Sequence, residues 1–254
     1  MSKPLVFDRP MQSEIREAKI DFLRRVIPPW QAGMGLRTAL DLGCGVGYYS
    51  SMLRDLGFQV VAVDGRAENI EEARTRYSDI DFRVADVEDP ALAGLGSFDL
   101  VLCVGLLYHL ENPMRCFRNL RAVCGKVLIL ESMVVPGEEP YLVILDEPSG
   151  EDQSMDAVSC YPSEGAIVKM AYRAGFPNVY SFKELPDSEQ FRASVGRLRA
   201  RTMFAASLEA IDSPILVKTV EPRPSGDLWT TDPTGFTKML RKLRHNLRNS
   251  KRKK

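Results

Sequence analysis

The sequence has few of the residues that build metal centres or disulfide frameworks. Its 254 residues include two histidines, His109 and His245, too few for a His-rich zinc site. The five cysteines are odd in number and form no CxxC pair, which favours free thiols in a reducing compartment. No apolar run approaches the roughly 20 residues of a membrane span, and no long apolar segment near the amino terminus suggests a secretory signal. We therefore expect a cytoplasmic protein without a metal site.

The chain also lacks a net charge, but this zero is the sum of an acidic body and a basic tail. The chain carries 34 basic and 34 acidic side chains, and residues 238–254 hold nine of the basic ones and no acid. The remaining body therefore has a net charge of −9. Apolar residues recur at helical spacing in this tail. The tail could bind RNA, dock on the acidic body, or lie on an anionic membrane surface, which would make the protein membrane-peripheral. It could equally be a solvated terminus.

Apolar strand-like segments alternating with helix-like ones are plentiful. The spacing of apolar residues predicts a first helix over residues 11–27, ended by Pro28 and Pro29. Strands are predicted at 38–42, 58–64, 81–85, 98–104, 126–130, 178–185 and 199–206, and further helices at 46–56, 67–77, 113–123 and 163–174. Apolar strands joined by helices predict a mostly parallel sheet covered on both faces.

An acidic segment interrupts this alternation. Residues 132–168 contain eight acids and no Lys or Arg, together with several prolines and glycines. A connection this long inside a compact domain is usually functional or disordered. We expect residues 131–162 to form a lid or insertion beside the substrate, within a catalytic domain spanning residues 1–206. Residues 207–254 are then expected to be an extended linker and a basic amphipathic tail.

The most informative stretch is the glycine-rich turn after the strand at 38–42. A dinucleotide-binding fingerprint would need a third glycine at position 48, which is Tyr48. The sequence instead reads Asp-x-Gly-x-Gly-x-Gly from Asp41 to Gly47. This pattern resembles motif I of the class I S-adenosyl-L-methionine (SAM)-dependent methyltransferases.

Three further segments carry the same resemblance in the correct order. Asp64 ends the second strand, Ala85-Asp86-Val87 follows the third, and the segment Phe98–His109 is similar to the family's motif IV. The resemblance implies a Rossmann-like α/β fold: a doubly wound, mostly parallel seven-stranded sheet with a reversed final strand, here preceded by an N-terminal helix and followed by the basic tail.

The resemblance also implies that SAM is the cofactor and that nine residues bind it. These are Asp41, Gly43, Gly45, Gly47, Asp64, Gly65, Asp86, Val87 and Val104. An acid suits the position of Asp64, because a carboxylate accepts two hydrogen bonds from the vicinal ribose hydroxyls. Asp86 would contact the adenine. Aspartates at strand ends also serve as helix caps and loop acceptors, so this reading stays open for both.

Three residues at the carboxyl ends of strands are candidates for catalysis. Tyr108 and His109 follow the fourth strand and Glu131 ends the fifth, the edge where open α/β sheets bind their ligands. His109 could be a general base for a hydroxyl acceptor, or it could shape the substrate floor. Glu131 could be a base or substrate contact, or an ion-pair partner.

The acidic lid favours an uncharged or cationic acceptor, because it would repel phosphates. We therefore expect in-line methyl transfer to a small-molecule, glycan or lipid-linked acceptor. A second resemblance, through residues 105–113, Tyr161-Pro-Ser and 174–176, is to the tRNA wobble-uridine carboxymethyltransferases, which use a carboxylated SAM. Modification of tRNA is the alternative function, and a non-catalytic SAM-fold binding scaffold is the third possibility.

Overall fold

The computed structural model describes residues 6–135, 137–147, 153–155, 158–192 and 200–222. The chain divides into two units, Met1–Glu221 and Pro222–Lys254. The fold below is that of the first unit. The predicted basic tail at 238–254 lies outside the described residues.

The described residues form five α-helices and ten strands. The helices are α1 (Pro10–Met34), α2 (Tyr48–Asp55), α3 (Ala67–Arg76), α4 (Pro113–Val123) and α5 (Glu164–Ala174). The strands are β1 (Thr38–Leu42), β2 (Gln59–Asp64), β3 (Asp81–Val84), β4 (Phe98–Val104), β5 (Cys124–Met133), β6 (Leu142–Asp146), β7 (Val158–Pro162), β8 (Asn178–Phe182), β9 (Arg201–Ser207) and β10 (Leu216–Lys218). Single turns of 3-10 helix at Val6–Asp8 and Leu107–His109 also border the site.

The main sheet has the predicted α/β architecture with one strand more than expected. Its order is β10-β8-β9-β5-β4-β1-β2-β3, so it has eight strands and not seven. The strands β1 to β5 run parallel, and β9 is antiparallel to both β5 and β8. The additional strand β10 pairs antiparallel with β8, inside the stretch predicted as a linker. Three residues are too short a run for a hydrophobic pattern to show, and burial of Leu216 holds this edge strand in place.

The first helix extends beyond its predicted end. Pro28 and Pro29 lie inside α1, which ends only at Gly35, a residue with a left-handed φ of 62°. Proline inside a helix costs about 3 kcal/mol, because a hydrogen bond is lost and the ring clashes with the preceding turn. Burial of Ile27 and Trp30 offsets this cost, at about 1.5–3 kcal/mol for each large apolar side chain. The Trp30 ring also stacks on Phe182 of β8, with centroids 6.0 Å apart.

Helices cover the two faces of the sheet in separate apolar clusters. Buried residues of α1 and α2 pack with strand residues such as Leu100 and Leu102. Buried residues of α4 and α5 pack with alternate strand residues such as Val101 and Cys103. This alternation follows from the period of two in a strand. Because β1, β2 and β4 run parallel, their carboxyl ends lie together at one edge of the sheet, where the candidate site lies.

The predicted lid contains a hairpin of its own. Strands β6 and β7 pair antiparallel as a separate two-stranded sheet, and we call the described residues 142–147, 153–155 and 158–162 the lid hairpin. After it, Ser163 caps α5 by accepting a hydrogen bond from the Ala166 amide at 3.0 Å. In the part of the chain that is described, no helix is long and apolar enough to cross a membrane.

Candidate active site

The turn between β1 and α2 brings the main chain close to its neighbours. Gly43, Gly45 and Gly47 have φ angles of 72°, 53° and 90°, a region that residues with a Cβ rarely adopt. A Cβ on Gly45 would lie 2.8 Å from the Phe7 ring, and one on Gly47 would lie 2.8 Å from the Phe82 ring. Glycine is therefore needed here both for the backbone conformation and for the space.

Asp64 at the end of β2 ties this turn to the next one. Its Oδ2 accepts a hydrogen bond from the Gly45 amide at 2.9 Å. Its Oδ1 accepts from the Arg66 amide and from the Asn69 side chain, both at 3.0 Å. Asp64 therefore accepts hydrogen bonds from the neighbouring loops, which is one of the two roles that the sequence left open. The same hydrogen bonds fix its carboxylate at the wall of a cavity.

Asp41 at the end of β1 is buried behind the turn. The Ser50 hydroxyl donates to its Oδ2 at 2.6 Å. Burial raises the pKa of Asp41 to about 7, against the lowering effect of the Ser50 hydrogen bond. This hydrogen bond links the end of β1 to the first turn of α2, on the two sides of the glycine turn.

Two adjoining cavities are lined by residues that follow β1, β2 and β4. The larger has a volume of about 440 Å³, within the roughly 300–1,000 Å³ of small-molecule sites. The narrower has a volume of about 90 Å³. Their walls share Phe7, Gly43, Gly105 and Gln153, so the two cavities meet above the glycine turn.

Most of the predicted site residues lie on these walls. Those on the larger cavity are Gly43, Asp64, Gly65, Asp86, Val87 and His109. Those on the narrower cavity are Gly43, Gly45, Val104 and Tyr108. The remaining three, Asp41, Gly47 and Glu131, are buried and line neither cavity in the described part of the chain.

The wall of the larger cavity is acidic. Its four carboxylates belong to Asp64, Asp86, Glu88 and Glu111, and the guanidinium of Arg66 is the cation facing them among the described residues. Asp86 Oδ1 accepts a hydrogen bond from the Glu88 amide at 2.8 Å. This charge distribution disfavours a polyanionic ligand and suits an uncharged or cationic one.

His109 is joined to an acid of the lid hairpin. Its Nδ1 lies 3.0 Å from Oε1 of Glu147, while its Nε2 is buried without a hydrogen-bond partner among the described residues. Burial lowers the pKa of His109 below its ordinary value, and Glu147 opposes only part of that effect. At pH 7 the ring is therefore neutral. Hydrogen bonding to the carboxylate favours the tautomer with the proton on Nδ1, leaving a lone pair on Nε2.

Tyr108 lies between His109 and the second cavity. Its ring centroid is 4.2 Å from that of His109 and 5.8 Å from that of Tyr161 in β7. Arg201 of β9 donates from Nη2 to the Tyr108 hydroxyl at 3.3 Å. Aromatic packing and this hydrogen bond hold the Tyr108 hydroxyl at the wall of the narrower cavity.

Glu131 lies in a buried ion-pair cluster. Lys19 of α1 donates to Oε2 at 2.7 Å and Arg201 donates to Oε1 at 2.9 Å. Burial opposes ionisation of Glu131, but the two cations outweigh it and hold its pKa below the ordinary value. Burial also lowers the pKa of Lys19 to about 8, so this amine remains protonated at pH 7. With both oxygens engaged, the geometry matches the ion-pair reading of Glu131.

Several residues of the site were not predicted from the sequence. Glu147 was one of eight acids in the lid, and nothing in the pattern distinguished it from the others. Arg201 begins β9 and gave no signal of burial. Lys19 did have a signal, because it stands four residues after Ile15 on the apolar face of α1. A charged residue on that face needs a buried partner.

Comparison with known families agrees with the predicted class. Residues 40–126 match the model of the family described as "Methyltransferase domain". The chain is 21% identical to the N-terminal domain of EvdMO1, solved with SAH bound, over 78% of this chain and 83% of that one, with a TM-score of 0.61. The resemblance to SAM-dependent methyltransferases and the Rossmann-like α/β fold are thereby confirmed.

Two curated relatives are similar over shorter stretches. The tRNA U34 carboxymethyltransferase of Pseudoalteromonas translucida is 32% identical over 149 residues, which is 56% of this chain and 45% of the relative. The ubiquinone biosynthesis O-methyltransferase of Caulobacter vibrioides is 37% identical over 95 residues, 36% of each protein. The chain thus spans less than half the length of the curated relatives it matches.

Proposed function

We propose that the protein transfers a methyl group from SAM to a hydroxyl of an uncharged small-molecule, glycan or lipid-linked acceptor. The glycine turn supports binding of SAM. A Cβ on Gly43 would fall within 3 Å of the Leu106 side chain, so a larger residue would fill the space between the turn and Leu106. Asp64 and Asp86 on the larger cavity supply carboxylate acceptors for the ribose hydroxyls and the adenine amino group. Gly65 and Val87 on the same wall supply close backbone and apolar contact.

The observation that carries the proposal is the arrangement of His109. When bound, SAM supplies an electrophilic methyl group on its sulfonium. His109 Nε2 would accept the proton of the acceptor hydroxyl, and the methyl group would pass to that oxygen with S-adenosylhomocysteine as the leaving group. A neutral ring with an unpaired Nε2 is in the right state for this task at pH 7. The protein otherwise contributes alignment of the two reactants, the larger part of catalysis in such a substitution.

Charge and similarity both support this class of acceptor. Besides the two carboxylates assigned to the cofactor, Glu88 and Glu111 line the larger cavity, and their charge disfavours phosphates in the acceptor. The relative from Caulobacter vibrioides is named an O-methyltransferase.

The test is transfer of isotope-labelled methyl groups from SAM to a panel of neutral hydroxyl compounds, sugars, lipid-linked sugars and tRNA. We expect a labelled ether from a neutral hydroxyl compound and none from tRNA. A matched reaction with His109→Gln separates catalysis from background, since the variant keeps a polar side chain of similar size. Label found only on a nitrogen or on RNA would contradict the proposal.

A second candidate is carboxymethyl transfer to tRNA, favoured by the charge of the Lys19–Glu131–Arg201 cluster. Two buried cations face one buried carboxylate beside the narrower cavity, leaving one net positive charge. Such a cluster would attract a carboxylate carried by the cofactor. The relative from Pseudoalteromonas translucida bears the name of this activity.

Calorimetry with SAM and with carboxylated SAM distinguishes the two candidates. If the protein transfers a methyl group to a neutral hydroxyl, SAM binds at least as tightly as carboxylated SAM. If it transfers a carboxymethyl group to tRNA, carboxylated SAM binds more tightly than SAM, and Arg201→Met abolishes this difference in affinity. The basic tail at 238–254 would then be an RNA contact, whereas an acceptor linked to lipid would make it a contact with an anionic membrane.

A further inference from the structure

The loop of the lid hairpin rests on the turn that follows β2. Arg66 donates from Nη2 to the Ser154 carbonyl at 2.7 Å. The Met155 side chain packs over Gly65, where a Cβ would lie 2.6 Å from its sulfur. Gln153 and Met155 line the larger cavity together with Asp64. The loop is thereby held against the predicted cofactor-binding turn.

The same loop fixes the carboxylate of Glu147. The amide of Gln153 donates to Oε2 at 2.9 Å, and the amide of Ser154 donates to both oxygens at 3.0 Å. The Ser154 hydroxyl adds a further bond to Oε2 at 3.1 Å. The side chain of Glu147 is 4% exposed. Although burial opposes ionisation, these donors and His109 hold the pKa of Glu147 below its ordinary value, so it is an anion at pH 7.

We propose that Glu147 is the positioning residue of His109: the lid hairpin delivers a fixed carboxylate that orients the ring, keeps the proton on Nδ1 and stabilises the imidazolium formed during methyl transfer. This inference rests on the proposed function and names the part of the lid that serves it. A base of this kind needs a third group to orient it and to compensate the charge it acquires.

The charges around His109 make this compensation necessary. Arg201 of β9 and Arg66 after β2 both oppose protonation of the ring, and burial acts in the same direction. Tyr108 contributes an uncharged aromatic face. Glu147 is the anion in hydrogen-bond contact with the ring among the described residues, so without it the imidazolium would lose its favourable partner.

The test is a pH titration of the histidine NMR signals in wild type, Glu147→Gln, Glu147→Asp and Asp146→Asn. The chain has two histidines, and His245→Gln assigns the signal of His109. We expect the pKa of His109 to fall in Glu147→Gln, to recover at least partly in Glu147→Asp, and to stay at the wild-type value in Asp146→Asn. The last variant is a matched control, because it removes an exposed acid one residue away in the same hairpin.

Steady-state kinetics supply the second readout. We expect kcat of Glu147→Gln to fall at least about tenfold with the KM for SAM unchanged, since general base assistance contributes roughly 10²–10⁴-fold. An unchanged His109 pKa in Glu147→Gln, or an unchanged kcat, would overturn the proposal. Because the titration needs no acceptor, it also separates the two claims: a wild type that methylates no hydroxyl refutes the proposed function, whatever the titration shows.

Discussion

Removing the carboxylate of Glu131 should be the most destabilising single change at the site. Glu131 is fully buried, and the side chains of Lys19 and Arg201 are each 6% exposed. Glu131→Ala would leave two buried cations facing each other without their shared anion. Breaking a buried ion pair in this way costs about 3–5 kcal/mol. For a protein of this size the melting temperature should fall by roughly 6–20 °C, at roughly 2–4 °C per kcal/mol.

The assay is chemical denaturation at pH 7, compared with Glu17→Ala as a matched control. Glu17 also pairs with an arginine, Arg16 at 3.3 Å, but its side chain is 60% exposed. Exposed pairs contribute about 0–1 kcal/mol, so the control should unfold near the wild type. A loss of less than about 1 kcal/mol in Glu131→Ala would refute the reasoning, since it would mean that water or another anion compensates the cations.

Two further measurements identify the cause as unpaired charge. The triple variant Lys19→Met, Glu131→Leu, Arg201→Met should be more stable than Glu131→Ala, because apolar replacement removes the charges together. The pKa of Glu131 is lower in the folded protein than its ordinary value of 4.5. The contribution of the carboxylate to stability should therefore be complete above about pH 4.5 and lost as the pH falls toward the lowered folded value.

The remaining predictions concern the cofactor site and the tail. Asp64→Ala should weaken binding of S-adenosylhomocysteine roughly ten- to hundredfold in calorimetry, since charged hydrogen bonds contribute about 1.5–3 kcal/mol. Asp79 is an exposed acid, and Asp79→Ala should bind S-adenosylhomocysteine as the wild type does. If Asp64→Ala and the wild type bind it with equal affinity, Asp64 is not part of the cofactor site. Gly45→Ala should lower the free energy of unfolding by about 1–2 kcal/mol, because residue 45 has a left-handed backbone conformation and the new Cβ would contact the Phe7 ring. An unchanged midpoint of denaturation would contradict this prediction. Deleting residues 238–254 should leave cofactor affinity unchanged and flatten the salt dependence of any RNA binding, whereas unchanged RNA binding across salt would exclude the tail as an RNA contact.

The strands were predictable because a strand that is buried on both faces consists of a continuous run of apolar residues. The segment predicted at 98–104 is β4 as found, and the helix predicted at 163–174 is α5, with Ser163 as its N-terminal cap. Pro28 and Pro29 misled the prediction, because local propensity yields to packing when Trp30 is buried. The edge strand β10 was missed because three residues show no period.

The candidate site divides in the same way. Asp64 and Asp86 could be placed from their positions after strands, since the carboxyl ends of parallel strands meet at one edge. Glu147 and Arg201 could not, because their roles depend on which residue of a hairpin or a distant strand faces His109 and Glu131. Such pairings are set by tertiary packing, and a single sequence carries no periodic signal of them.

The central claim is that His109 takes the proton of an acceptor hydroxyl during methyl transfer. The direct test is the single-turnover rate from SAM to the identified acceptor, measured against pH for wild type and His109→Gln. Because the folded pKa of His109 lies below 6.5, the wild-type rate should be flat around neutral pH and fall only at lower pH. The variant should be slower by roughly 10²–10⁴-fold and lose that fall. A His109→Gln rate close to wild type at every pH would contradict the claim.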